Sequence, residues 1–162
     1  MTGSKYLRRA ATAAAMVITA MTASPVIASP PSGLTTTNFV TADLDPADHI
    51  NSDRIKFQTK GPTDIRMQKL EFAAGGATGW HHHPGMVIVA VASGTIEVWD
   101  TSCGKTAYGP GSPNGSVFIE ALPHAHQATS TNGATIYVTY VVPNASPPTF
   151  RVEEQVPFCA QN

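Results

Sequence analysis

Hydrophobic positions along the chain recur with a period of two, and helical periodicity is hard to find. Short alternating or apolar runs cover Arg54–Lys60, Ile65–Ala73, Met86–Ser93, Thr95–Asp100, Ser116–Ala121, Ala134–Val142 and Phe150–Val156. Ile55 with Phe57, Leu70 with Phe72, and Ile96 with Val98 face one way while Lys56, Glu71 and Glu97 face the other, as in half-buried strands. Val87–Val91 and Ile136–Val142 are almost continuously apolar, which predicts strands covered on both faces. Gly61-Pro62, Gly75-Gly76, Ser93-Gly94, the 109–115 stretch, Asn132-Gly133 and the 143–148 stretch punctuate these runs. Many short strands divided by Gly/Pro turns predict an all-β sandwich or barrel.

At 162 residues with 42% hydrophobic content, the chain is expected to form one domain around one core. Residues 1–28 read as a signal peptide. Lys5, Arg8 and Arg9 make a basic start, residues 10–23 are small and apolar, and Val26-Ile27-Ala28 precedes a plausible cleavage point. The apolar run is short and rich in Ala and Thr for a membrane span. Residues 29–42, mostly Ser, Pro, Thr and Gly at the start, are expected to be a flexible N-terminal segment, with the barrel domain at 43–162.

Removal of that leader leaves 7 Lys and Arg against 11 Asp and Glu, a net charge of −4. Such a balance argues against nucleic acid or an anionic membrane surface as partner, because both require a basic patch. A small-molecule ligand or substrate is the expected partner. The protein is expected to be secreted or periplasmic, and in an oxidising compartment Cys103 and Cys159 are expected to form a disulfide between a mid-chain loop and the C-terminal tail.

Histidine placement carries the chemistry. His81 and His83 have the i, i+2 spacing that sets two imidazoles on one face of a strand, with His82 turned the other way. A second cluster, His124-Ala125-His126, follows another turn and can supply a third ligand. His126 fits best, and His124 has the same parity. Trp80 and Trp99 read as packing aromatics, and Asp43, Asp45, Asp48 and Asp53 lack the alternation and glycine of a calcium loop.

Gly75, His81, His83, Val87 and Gly94 stand at the spacings of the first motif of the cupin superfamily, and Gly115, Ala121, Pro123, His126 and Ser130 at those of the second. The chain thus resembles cupins over roughly residues 50–145. The match departs at Val87, where the family usually has glutamate, and at the proline, second glycine and asparagine of the second motif. Glu120 shares strand parity with His126 and is a candidate for the missing carboxylate, although the motif puts it one residue before the turn.

The resemblance implies a double-stranded β-helix, or jelly-roll barrel, binding a divalent metal through His81, His83 and His126. Three neutral imidazoles favour iron(II), zinc, nickel, copper or cobalt. It also implies a dioxygenase or isomerase acting on a small molecule, with His124 the nearby group suited to proton transfer, and a possible homodimer paired through outer sheets. The alternative is a non-catalytic barrel that holds a sugar or metabolite; the valine at position 87 and the absence of an obvious general base favour it, whereas the preserved His81-x-His83 pair favours the enzyme.

Overall fold

A computed structural model of the protein describes residues 28–121 and 123–161, so the leader expected at 1–28 lies, but for its last residue, outside the described residues. Among the described residues twelve strands follow in order: β1 (Ser32–Leu44), β2 (His49–Asn51), β3 (Lys56–Gln58), β4 (Thr63–Ala77), β5 (His81–His82), β6 (Met86–Gly94), β7 (Ile96–Asp100), β8 (Lys105–Tyr108), β9 (Val117–Glu120), β10 (His126–Ser130), β11 (Ala134–Pro143) and β12 (Val152–Glu153). The only helical turn among the described residues is a 3-10 turn at Phe158–Ala160.

Ten strands belong to one antiparallel sheet that folds over itself into a barrel. One wall runs β1-β4-β11-β6-β9. The other is built on β10, which pairs with β7 on one side and with β5 and the end of β4 on the other, while β8 and β12 extend its edges. Strand β4 serves both walls, since it pairs with β11 over residues 63–72 and with β10 at Gly76 and Ala77. Gly75, at φ 76°, and Gly76 mark the crossing. A side chain on Gly76 would run into the Gly33 carbonyl of the adjoining β1, so this corner closes only with glycine.

Inward-facing residues fuse into one core of Leu70, Phe72, Val87, Val89, Val91, Ile96, Ile136, Val138 and Val142 with their neighbours. Ile96 is fully buried. Ile96→Val, which removes one methylene there, is expected to cost about 1 kcal/mol, readable as a lower urea midpoint at unchanged slope.

Two expectations are corrected. The segment expected to be flexible at 29–42 is largely β1, paired with β4 from Ser32 to Leu44. Its thirteen residues are almost all exposed, so it carries no apolar alternation and is held by ladder hydrogen bonds at a sheet edge. The runs expected to be covered on both faces are covered on one. Val87, Val89 and Val91 are buried, whereas Ile88 and Ala90 are half-buried and Tyr137 is 46% exposed. The outer wall is open and apolar: Phe39 stacks on Tyr137 with ring centroids 6.2 Å apart, and Met67, Val117 and Ile119 are exposed beside them.

The predicted disulfide is present, joining Cys103 and Cys159 across 56 residues. It ties the Asp100–Gly104 turn to the C-terminal tail, whose β12 pairs with the histidine-bearing β5.

Candidate metal centre

Three histidines predicted from the sequence meet inside the barrel. His81 on β5 is the direct cross-strand partner of His126 on β10. His83 lies two residues beyond His81, on the same face. Their ring centroids are separated by 4.4 Å (His81–His126), 4.7 Å (His81–His83) and 5.2 Å (His83–His126), and all three side chains are buried. One ligand atom from each lies within 4.8 Å of the others.

Backbone carbonyls fix the tautomers. The Nδ1–H of His81 donates to the Gly79 carbonyl at 2.8 Å, that of His83 to the Phe150 carbonyl at 2.5 Å, and that of His126 to the His124 carbonyl at 3.0 Å. Each neutral ring is therefore pinned by Nδ1 and presents the lone pair of Nε2 to the interior, the tautomer that a metal ligand needs. The first of these carbonyls depends on backbone shape. Gly79 has φ 71°, and any side chain on it would collide with the Ser29 carbonyl, while Ser29 Oγ accepts from the Trp80 N–H at 2.9 Å.

Electrostatics separate the three rings. Desolvation pushes the His81 pKa down to about 2, helped by His126, Arg151 and His83. Burial also lowers that of His83, against the pull of the Phe150 carbonyl and Glu120. For His126 burial opposes the charge, but the hydrogen bond to Glu120 and its negative charge outweigh it, and the pKa is raised. Glu120, at the end of β9, lies with Oε1 3.2 Å from His126 Nε2 and Oε2 3.4 Å from His83 Nε2.

A cavity of about 340 Å³ opens onto the three rings. Leu70, Val89, Ile136 and Val138 form its apolar wall, and Arg66, Gln68, Tyr140 and Arg151 bring polar groups to it. The Arg66 guanidinium sits 3.7 Å above the Phe150 ring, with Nε donating to Thr41 Oγ1 at 3.0 Å. Arg151 is held by Glu153 and donates to the Thr78 carbonyl at 2.8 Å. A second cavity of about 330 Å³ meets the site from the far side of Glu120 and His126, between Trp99, Tyr108 and Phe118.

Other candidates fall elsewhere. His82 faces away from the cavity and its Nδ1 lies 2.6 Å from Glu154 Oε1. The His124 ring is exposed, and what His124 brings to the centre is its carbonyl. Trp80 is buried in packing and Trp99 donates to Thr129 Oγ1. The four aspartates at 43, 45, 48 and 53 are exposed. Arg66 and Tyr140 lie on strands outside both motifs, and Arg151 lies just before β12, so neither motif pointed to them. Inward parity on β4 and β11 was the signal that could have found Arg66 and Tyr140.

No protein-family model and no curated protein matches the chain. Solved structures similar to it include a Streptococcus pyogenes protein of unknown function, with 14% identity and a TM-score of 0.48 over 69% of this chain and 76% of that one. A cupin superfamily protein from Desulfitobacterium hafniense has 11% identity and a TM-score of 0.48 over 72% and 84%. Salicylate 1,2-dioxygenase from Pseudoaminobacter salicylatoxidans has 14% identity and a TM-score of 0.47, with 66% of this chain spanning 24% of the enzyme. Likeness at this level assigns neither ligand nor activity. By its own topology the chain is an all-β barrel in which the histidines of the two motif-like segments meet at one inner face.

Proposed function

We propose that this protein is an exported metalloprotein that holds one divalent ion on His81, His83 and His126 and takes a small organic molecule into the same cavity. The observation that carries this reading is the uniform pinning of three Nδ1–H groups to backbone carbonyls, which leaves three Nε2 lone pairs converging in a buried pocket. An all-imidazole set suits iron(II), zinc, nickel, copper or cobalt. The bound ion would supply Lewis acidity and open coordination positions for a dioxygenase-type or isomerase-type reaction.

The chain's own residues define what enters. The apolar wall accepts a small carbon skeleton, while the Arg66 guanidinium favours an anionic substituent such as a carboxylate. Tyr140 keeps its proton because burial and the Glu120 charge push its pKa up to about 12, so it acts as a hydrogen-bond donor. Export is supported by the Cys103–Cys159 disulfide. Among the described residues no helix is long and apolar enough to cross a membrane. Pairing of two copies is supported by the exposed apolar outer wall around Phe39, Met67 and Tyr137.

Metal content tests the reading. Protein purified without chelator is expected to carry close to one divalent ion per chain, and His81→Ala, with an unchanged circular dichroism spectrum, is expected to lose it. Retention of the full complement by that variant would remove the proposed centre. Oxygen uptake over a panel of small carboxylic acids and diketones then separates a dioxygenase from a binding barrel.

A further inference from the structure

The geometry points to Glu120 as a fourth ligand of this centre, supplied from β9, the strand beside the one on which the first cupin motif carries its carboxylate. The inference rests on the three-histidine reading and adds a residue that neither motif contains.

Val87 stands at the motif's glutamate position on β6, and its Cα partner across the antiparallel ladder is Glu120 on β9. Directly opposed residues in such a pair project from the same face, with Cβ atoms about 5 Å apart. A carboxylate at 120 therefore reaches the volume that one at 87 would fill. Orientation along β9 agrees. Val117 and Ile119 face outward at 56% and 59% exposure, whereas the Glu120 side chain is 16% exposed and lines the cavity. It is the sole carboxylate among the described residues lining that cavity.

Hydrogen-bond bookkeeping sharpens the case. With Nδ1–H donated to carbonyls, neutral His83 and His126 each offer a bare lone pair at Nε2. An ionised carboxylate offers only lone pairs. Two acceptor nitrogens at 3.4 Å and 3.2 Å from the two oxygens of one carboxylate face it with no proton between them unless a ring is charged. One proton can satisfy one of these contacts. A divalent cation among the three nitrogens and the carboxylate satisfies all of them together. The two guanidinium groups lining the cavity are engaged elsewhere, Arg151 with both oxygens of Glu153 and Arg66 with Thr41 Oγ1 and the Phe150 ring.

The relocation changes what the centre selects. Three imidazoles leave the dipositive charge whole, whereas a carboxylate reduces it to a single positive charge and adds a hard oxygen donor. That shifts preference toward manganese(II) and iron(II), relative to the softer end of the series. Moving the carboxylate across the strand pair also leaves Val87 free to complete the apolar core, where it is fully buried.

Metal-free full-length protein titrated with manganese(II), cobalt(II) and zinc(II) tests this, using wild type, Glu120→Gln and the exchange variant Val87→Glu/Glu120→Val. Glu120→Gln preserves shape and is expected to weaken manganese(II) by about 100-fold or more, since losing a direct ligand costs at least as much as losing a group that only orients one. Zinc(II) is expected to weaken less, and the cobalt(II) visible spectrum to change in position and intensity. The exchange variant is expected to recover manganese(II) affinity at least tenfold relative to Glu120→Gln. A folded Glu120→Gln protein with wild-type affinities and an unchanged cobalt(II) spectrum would overturn the inference, leaving Glu120 as the partner of a protonated His126. Folded wild type that binds none of the three ions would instead overturn the three-histidine reading beneath it.

Discussion

Reduction of the Cys103–Cys159 disulfide, or its replacement by two serines, is expected to lower the stability of the protein by about 4 kcal/mol. The closed loop spans 56 residues, and releasing it returns that loop-closure entropy to the unfolded chain. For a domain of this size the loss corresponds to a fall in Tm of about 15 °C, measurable by calorimetry with and without reductant. The effect should also reach the metal centre. The tail anchored by Cys159 carries the Phe150 carbonyl that orients His83 and the β12 strand that pairs with β5. Metal affinity is therefore expected to fall together with stability. A reduced protein with the same Tm and affinity would show that the tail is held by its ladder and side-chain bonds alone.

Acid is expected to destabilise the metal-free protein, and a divalent ion to protect it. The unfolded His81 takes up a proton near its ordinary value of 6.5, whereas the folded one, buried against two other rings, does not until about pH 2. The unfolded state thus binds more protons over that whole window, so stability falls as pH falls below 6.5 by about 1.4 kcal/mol per pH unit. His83 acts in the same direction, since its pKa is also lowered. His126 acts in the opposite direction, because a raised pKa adds stability below 6.5 that is lost as pH rises through its folded value. From pH 6.5 to 5 the His81 contribution alone is about 2 kcal/mol.

An ion present at about 1,000 times its dissociation constant adds about 4 kcal/mol. That protection should shrink in acid as protons compete for the same Nε2 atoms. Denaturation midpoints at pH 7, 6 and 5, with chelator and with added ion, read both effects. Flat stability of the chelated protein between pH 6.5 and 5 would contradict the desolvated, neutral His81 that the site requires.

The strands carrying the core were legible because burial on one face writes a period of two into the sequence. Expected runs at 65–73, 86–93, 95–100 and 134–142 correspond to β4, β6, β7 and β11 within a few residues. Strands that are exposed or very short were not. β1 is Thr-rich and exposed, and β5, β8 and β10 are short, so each is held by pairing to neighbours distant in the chain and leaves a weak local pattern.

The sequence by itself determined an all-β chain, the i, i+2 pair of His81 and His83, the loss of a carboxylate at Val87 and the cysteines available for a bridge. Those features are local in sequence or follow from residue identity. Only the tertiary structure decided that His126, not His124, joins the pair, that three carbonyls hold the rings in one tautomer, and that Glu120 faces them from across the ladder beside Val87. Strand register sets these relations, and register joins residues 33 to 45 positions apart through long-range pairing that no local pattern encodes.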